Sequence, residues 1–178
     1  VQLGSQNNFV YEDVRDIVFR HLGGREDIQV AAAEWLISNE TPDLPDGVLR
    51  LRTYPLGKYL KAFDFVVSAA GYNGFHELLA AGIPAVFVPN ENPVMDEQLA
   101  RAQYAERHGL GLCLRTREGY DARAKLDLML DKSFRKRIAE NCASLDRSNG
   151  AVAVATFLEE TVFSARADKP DREYWSTV

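Results

Sequence analysis

The stretch Phe65-Val66-Val67-Ser68-Ala69-Ala70-Gly71-Tyr72-Asn73-Gly74-Phe75-His76-Glu77 decides how the chain is read. Phe65 to Ser68 is a short apolar run closed by one serine, the pattern of a strand covered on both faces. Gly71 to Ala81 then has helical character and stops at Gly82, a residue suited to the left-handed turn that ends helices. Only small residues separate the two. A strand that passes through small residues straight into a helix is the local unit of a parallel α/β sheet.

The same alternation continues outward in both directions. Upstream, Val1-Gln2-Leu3 reads as the tail of a strand that enters the loop Gly4-Ser5-Gln6-Asn7-Asn8. Phe9 to Leu22 has helical spacing, with Val10, Val14, Ile17 and Val18 on one face, and Gly23-Gly24 stops it. Ile28 to Ala33 is a strand, Asn39 to Gly47 a proline-bearing loop, Val48 to Thr53 a strand and Pro55 to Ala62 a short helix. Downstream come a strand at Pro84 to Val88, a helix at Met95 to His108 and a strand at Leu110 to Leu114. Three helices follow, at Ala122 to Leu130, Ser133 to Leu145 and Gly150 to Phe163. The expected fold is α/β, a Rossmann-like parallel sheet of about six strands with helices on both faces. It spans residues 1–163, with a polar tail over 164–178 that carries Tyr174 and Trp175. Ligands of such sheets sit beyond the carboxyl ends of the strands, here the loops after Leu3, Thr53, Ser68 and Val88.

Composition narrows the class. The 178 residues suit one well-filled core. A net charge of -5 with no basic stripe argues against a nucleic-acid partner. No apolar run reaches the roughly 20 residues of a membrane span, and no signal peptide opens the chain. Cys113 and Cys142 have no metal spacing and read as buried thiols of a reducing compartment, which points to the cytoplasm. The scattered His21, His76 and His108 add no zinc pattern, so no metal site is expected. Because Val1 stands inside a strand, the chain reads as an excised domain whose N-terminal neighbour is missing.

Three of the four loops hold residues suited to a nucleoside diphosphate. At Gly71 and Gly74 a ligand can approach the backbone, and the helix that starts there offers unpaired N–H groups and a partial positive charge. Glu77, one turn on, is placed to accept both hydroxyls of a ribose. The same glycines also fit tight helix–sheet packing, with Glu77 a solvated helix residue. The Gly4-Ser5 loop can cradle phosphate or be an ordinary strand-to-helix turn. Asp96, Glu97 and Gln98 are placed in the first turn of the next helix, where acidic residues act as caps or hold hydroxyls of a sugar. His76 reads as a helix residue rather than a general base.

Gly71-Tyr72-Asn73-Gly74-Phe75-His76-Glu77 resembles the Gly-Trp-Asn-Ser-x-x-Glu core of the UDP-sugar signature of plant secondary-metabolite glycosyltransferases. Ala80-Ala81-Gly82-Ile83-Pro84 to Val88-Pro89 continues it, and Glu97-Gln98-Leu99-Ala100-Arg101-Ala102 resembles that family's Asp-Gln-x-x-Asn-Ala. Leu49 to Ala102 also resembles the C-terminal domain of the lipid II-forming N-acetylglucosaminyltransferases. The resemblance implies one half of a GT-B two-domain architecture, with the acceptor domain or a partner subunit absent from this chain. It implies an inverting, metal-independent transfer from a UDP-sugar, without a cofactor. Glu77 would hold the ribose, and the amides of Gly71, Tyr72, Asn73 and Gly74 the diphosphate. The backbone at Thr53 would read uracil, Glu97 and Gln98 the donor sugar, and Gly4 and Ser5 would line the phosphate from across the cleft. The catalytic base is not identified, since in this family it comes from the N-terminal domain. Ala69 stands where the plant signature has a phosphate-binding His, and Arg101 where it has Asn. Two other readings share the fold: a sugar-nucleotide epimerase or hydrolase, and a non-catalytic donor-binding subunit of a split transferase.

Overall fold

The computed structural model describes residues 1–3, 11–34, 43–116, 119–145 and 150–167. It divides the chain into two units, Val1–Leu145 and Asp146–Val178. Gly4 and Ser5, the start of the first expected helix and most of the C-terminal tail lie outside the described residues.

In the first unit, β1 (Ala31–Ala33) pairs in parallel with β2 (Leu49–Leu51). Separately, β4 (Ala85–Val88) pairs in parallel with β3 (Val66–Ala69) on one side and with β5 (Leu112–Cys113) on the other. The opening segment joins the two sets. On one side the Val1 carbonyl accepts from the Ala33 N–H at 2.8 Å. On the other, the Gln2 N–H donates to Val67 at 2.7 Å and the Gln2 carbonyl accepts from Ala69 at 2.9 Å. The strand order is therefore β2, β1, opening segment, β3, β4, β5. The chain builds outward from the opening segment to β2, then returns to its other side to start β3. That reversal is a topological switch point, and it lies between the carboxyl ends of the opening segment and β3.

The side chains explain the layers. The residues of β4 are all buried and those of β3 nearly so, as expected of central strands covered on both faces. Phe75 on α2 (Tyr72–Ala81) is buried and packs its ring 4.7 Å from that of Phe87 on β4, which holds the helix to the sheet. Gly82 closes α2 with φ 69°, in the left-handed region. The edge strand β5 is covered by side chains: the Cys113 N–H donates to Glu106 Oε1 at 3.1 Å and Lys125 Nζ donates to the Cys113 carbonyl. Around this sheet stand α1 (Glu12–Leu22), α3 (Gln98–Arg107), α4 (Gly119–Leu130) and α5 (Lys132–Ala143). The Asp131 carboxylate caps the start of α5 by accepting from the N–H groups of Ser133 and Phe134.

Several boundaries move. The short helix after Pro55 is a 3-10 helix, Leu56–Ala62. α3 begins at Gln98 rather than Met95, so Asp96 and Glu97 precede it instead of filling its first turn. The cause is local competition. The Asn90 and Asn92 side chains accept from the N–H groups of Asn92 and Val94, and the Asn92 carbonyl accepts from Met95, so turns occupy residues 90–95. In the second unit α6 (Ala151–Ala167) continues past Phe163, where the helix was expected to end, and exposes Val152, Val154, Phe157 and Leu158.

Gly111, before β5, is set by close approach. A Cβ there would lie 2.8 Å from the Ala85 carbonyl oxygen and 2.8 Å from the Phe87 ring. Gly111→Ala is expected to lower stability by about 1–3 kcal/mol through overpacking. Urea denaturation should show a lower midpoint at an unchanged slope. An unchanged midpoint would contradict the close packing of β4 on β5.

Candidate functional site

The carboxyl end of β3 runs through Ala69 and Ala70 into Gly71, which is the N-cap of α2. Ala70 is buried, and its N–H donates to the Val88 carbonyl at 3.0 Å, so the turn is anchored on β4. Gly71 has φ -62° and ψ 149°, and no side chain caps the helix. No acidic residue stands in the first turn. The first amides of a helix have no partner within it, so this end presents N–H donors and a partial positive charge outward.

Packing does not demand glycine at either position of this turn. A Cβ at Gly71 would meet nothing within 4 Å among the described residues, and one at Gly74 would make an ordinary 3.9 Å contact with Ser68 Oγ. Among the described residues, the space over the helix start is open. Tyr72, Asn73 and Glu77 are exposed beside it. The Glu77 carboxylate makes no hydrogen bond or ion pair among the described residues. Its carboxylate lies against Gly57 on the 3-10 helix, where a Cβ would collide with it. Gly57 is four residues beyond Thr53, which is half-buried at the exit of β2. The Thr53 and Glu77 segments are therefore brought together, although β1 and the opening segment lie between their strands. His76 packs its ring 4.5 Å from that of Tyr72 and 5.3 Å from that of Phe75.

The loop after β4 faces the same turn. Glu97 is exposed, but Gln98 is buried. Its Oε1 accepts from the Asn90 N–H at 3.1 Å, so the side chain is engaged in holding this loop. Arg101, one turn into α3, reaches back. Its Nη2 donates to Asp96 at 2.7 Å and its Nη1 to the Ala70 carbonyl at 2.6 Å. The Arg101 hydrogen bond is the main cause that holds the Asp96 carboxyl below its ordinary value. Tyr11, just ahead of α1, is pushed up to about 12, by burial first and by the charge of Asp96 second.

Sequence reasoning missed three of these residues. Gly57 matters only through a tertiary approach that no local pattern marks. Tyr11 is separated from Asp96 by most of the sheet in sequence. Glu34, at the exit of β1, carries a nearly buried side chain paired with Arg50 and Arg52 of β2. The alternation Arg50-x-Arg52 was the available signal there, since it puts both guanidiniums on one face of a strand. A cavity of about 620 Å³ lies elsewhere in this unit. Val30, Leu49, Phe65 and Leu130 are among its lining residues, and none of Gly71, Glu77 or Glu97 reaches it.

Residues 50–152 match the model of the glycosyltransferase family 28 C-terminal domain. A UDP-N-acetylglucosamine--N-acetylmuramyl-(pentapeptide) pyrophosphoryl-undecaprenol N-acetylglucosamine transferase of Opitutus terrae is 32% identical over 102 residues, 57% of this chain and 27% of that protein. Aclacinomycin-T 2-deoxy-L-fucose transferase of Streptomyces galilaeus is 31% identical over 105 residues, 59% of this chain and 23% of that protein. The chain thus spans about a quarter of the length of these relatives. Among solved structures, the spinosyn rhamnosyltransferase SpnG superimposes with a TM-score of 0.69 at 17% identity, covering 89% of this chain and 43% of that one. A complex of the same enzyme with thymidine diphosphate gives 0.67 at 18%, covering 88% and 43%. The calicheamicin glycosyltransferase CalG4 gives 0.61 at 23%, covering 94% and 43%.

The Asp96 network has a pH signature. A carboxyl whose folded pKa is depressed adds stability above its unfolded value, and loses it as pH falls through the folded value. Asp96→Asn should therefore be less stable than the wild type at pH 7. The gap should narrow as the pH falls below the ordinary value of 3.8. Denaturant midpoints across this range measure it, and a constant gap would contradict the ion pair.

Proposed function

The chain belongs to the glycosyltransferase family 28 C-terminal domains, and on that premise we propose that it is the donor-binding half of an inverting glycosyltransferase that uses a UDP-sugar. One observation carries the reading. An uncapped helix start stands at the switch point and, among the described residues, nothing fills the space over Gly71 and no group partners the carboxylate of Glu77 beside it. The diphosphate accepts from the amides of residues 71–74, and the two oxygens of Glu77 accept from the ribose 2′ and 3′ hydroxyls. The Thr53 backbone lies on the base side, reached from Glu77 through Gly57. Glu97, exposed across the turn, faces the sugar. We propose Gly4 and Ser5, which lie outside the described residues, for the phosphate side.

The chemistry follows from this placement. In a single displacement the acceptor hydroxyl attacks the anomeric carbon, the bond to the diphosphate oxygen breaks, and the acceptor's proton passes to a base. Negative charge grows on the departing diphosphate. Amide N–H groups and the α2 dipole are already aimed there and stabilise that charge without a metal ion or cofactor. The base and the acceptor site belong to the part of the protein that precedes this domain, or to a partner subunit. The buried Cys113 and Cys142 are compatible with a cytoplasmic setting.

A second reading of the donor has its own support, because a similar fold, SpnG, is known in complex with thymidine diphosphate. That nucleotide lacks the 2′ hydroxyl, so it leaves one oxygen of Glu77 without a ribose partner. Calorimetry with UDP, thymidine diphosphate, ADP and GDP separates the cases. UDP is expected to bind most tightly, and tighter binding of thymidine diphosphate would replace the uridine reading.

Glu77→Ala tests the ribose contact. Hydrogen bonds to a charged acceptor contribute roughly 1.5–3 kcal/mol each. Water offsets part of this in an open cleft, so UDP affinity should fall by about tenfold to a hundredfold. Stability should barely change, since alanine is the better helix former. The wild type should discriminate UDP from 2′,3′-dideoxy-UDP and the variant should not. A variant that still prefers the ribose hydroxyls would remove Glu77 from the site.

A further inference from the structure

The guanidinium of Arg101 stands where a helix dipole alone would not put it. Although Arg101 belongs to α3, its Cζ lies 5.5 Å from the Tyr72 ring centre and 5.9 Å from that of Phe75, beside the first turn of α2. That end of a helix already carries partial positive charge, so a cation there is unfavourable unless something offsets it. The Asp96 carboxylate and the Ala70 carbonyl do so, and the aromatic faces add to them. The Arg101 side chain is 16% exposed, while its partner Asp96 reaches the surface.

The Ala70 contact has a geometric consequence. The Ala70–Gly71 peptide is trans, so its C=O and N–H point in opposite directions within one plane. The Ala70 N–H is fixed on Val88, and the Ala70 oxygen is held by Arg101. With both ends of the residue pinned, the direction of the Gly71 N–H is set before any ligand arrives. The same guanidinium ties this turn to Asp96, next to Glu97, on the loop across the site.

Resting on the donor-site reading above, we infer that Arg101 is a positioning residue for the donor diphosphate: it pins the Ala70–Gly71 peptide at the start of α2 and places a shielded positive charge beside it. A planar fork that bridges two acceptors is a task lysine does not reproduce, because an ammonium is a point charge on a flexible stem.

The test compares UDP with uridine, which keeps the base and ribose and lacks the diphosphate, by NMR titration of the wild-type chain, Arg101→Ala and Arg101→Lys. Arg101→Ala should cut the preference for UDP over uridine by about tenfold or more, leaving uridine affinity within about twofold. Arg101→Lys should recover only part of that preference. Should the alanine variant fail to fold, the lysine variant carries the test by itself, and a partial loss of preference is the supporting result. If UDP and uridine weaken by the same factor, or neither weakens, Arg101 is only a structural tether and the inference falls while the donor site stands. Full recovery by lysine would assign the effect to charge and remove the pinned peptide. A wild-type chain that binds neither ligand overturns the donor site and this inference together.

Discussion

Four backbone hydrogen bonds around the opening segment determine where everything else can be. Val1 and Gln2 insert between β1 and β3, bonding to Ala31 and Ala33 on one side and to Val67 and Ala69 on the other. Without them there are two small sheets. With them there is one parallel sheet whose order reverses beside the opening segment. Parallel strands put all their exits on one edge. The reversal then opens a crevice between two neighbouring exits, because the connections leave in opposite directions. The start of α2 stands in that crevice for no other reason than topology.

What distinguishes the crevice chemically is restraint. Gly71 leaves the helix uncapped, and its missing side chain leaves open space rather than resolving a clash. Compare Gly111, where glycine is demanded by the Ala85 carbonyl and the Phe87 ring. The two glycines look alike in sequence and differ in what surrounds them. Among the described residues the first has space around it, and the second keeps strands together. Around Gly71 the rest of the machinery is rigid: Ala70 on Val88, Gln98 on Asn90, and Arg101 between Asp96 and Ala70. Donors that are already oriented need no reorganisation when charge develops on a ligand, and this is what makes such a site effective.

The fold was largely legible because its signals are local. Apolar runs, helical spacing and the glycines at 82 and 109 mark strand and helix limits without reference to anything distant, and Gly82 and Gly109 do adopt positive φ. The first turn of α3 was not legible, because the asparagines at 90 and 92 form turns with their own backbone, and this competition is invisible to a count of acidic residues. In the site, the strand–small residues–helix pattern pointed to the Gly71 turn and Glu77 correctly as neighbours of the carboxyl edge. Gln98 read as a residue that faces a sugar; its side chain is buried and accepts from the Asn90 N–H, which the sequence did not signal. Gly57, Tyr11 and the reach of Arg101 depend on tertiary approach. A sequence reports that an arginine stands one turn into a helix, but not that it crosses to the neighbouring one.

The central claim is that a nucleoside diphosphate sits at the start of α2, in the crevice made by the strand reversal. The most direct measurement is a titration of the isotopically labelled chain with UDP, followed through its backbone amides. The account predicts the largest shifts at Gly71, Tyr72, Asn73 and Gly74, with Glu77 and the residues near Gly57 next. Shifts concentrated instead around the cavity lined by Val30, Phe65 and Leu130, with the α2 amides unmoved, would contradict it.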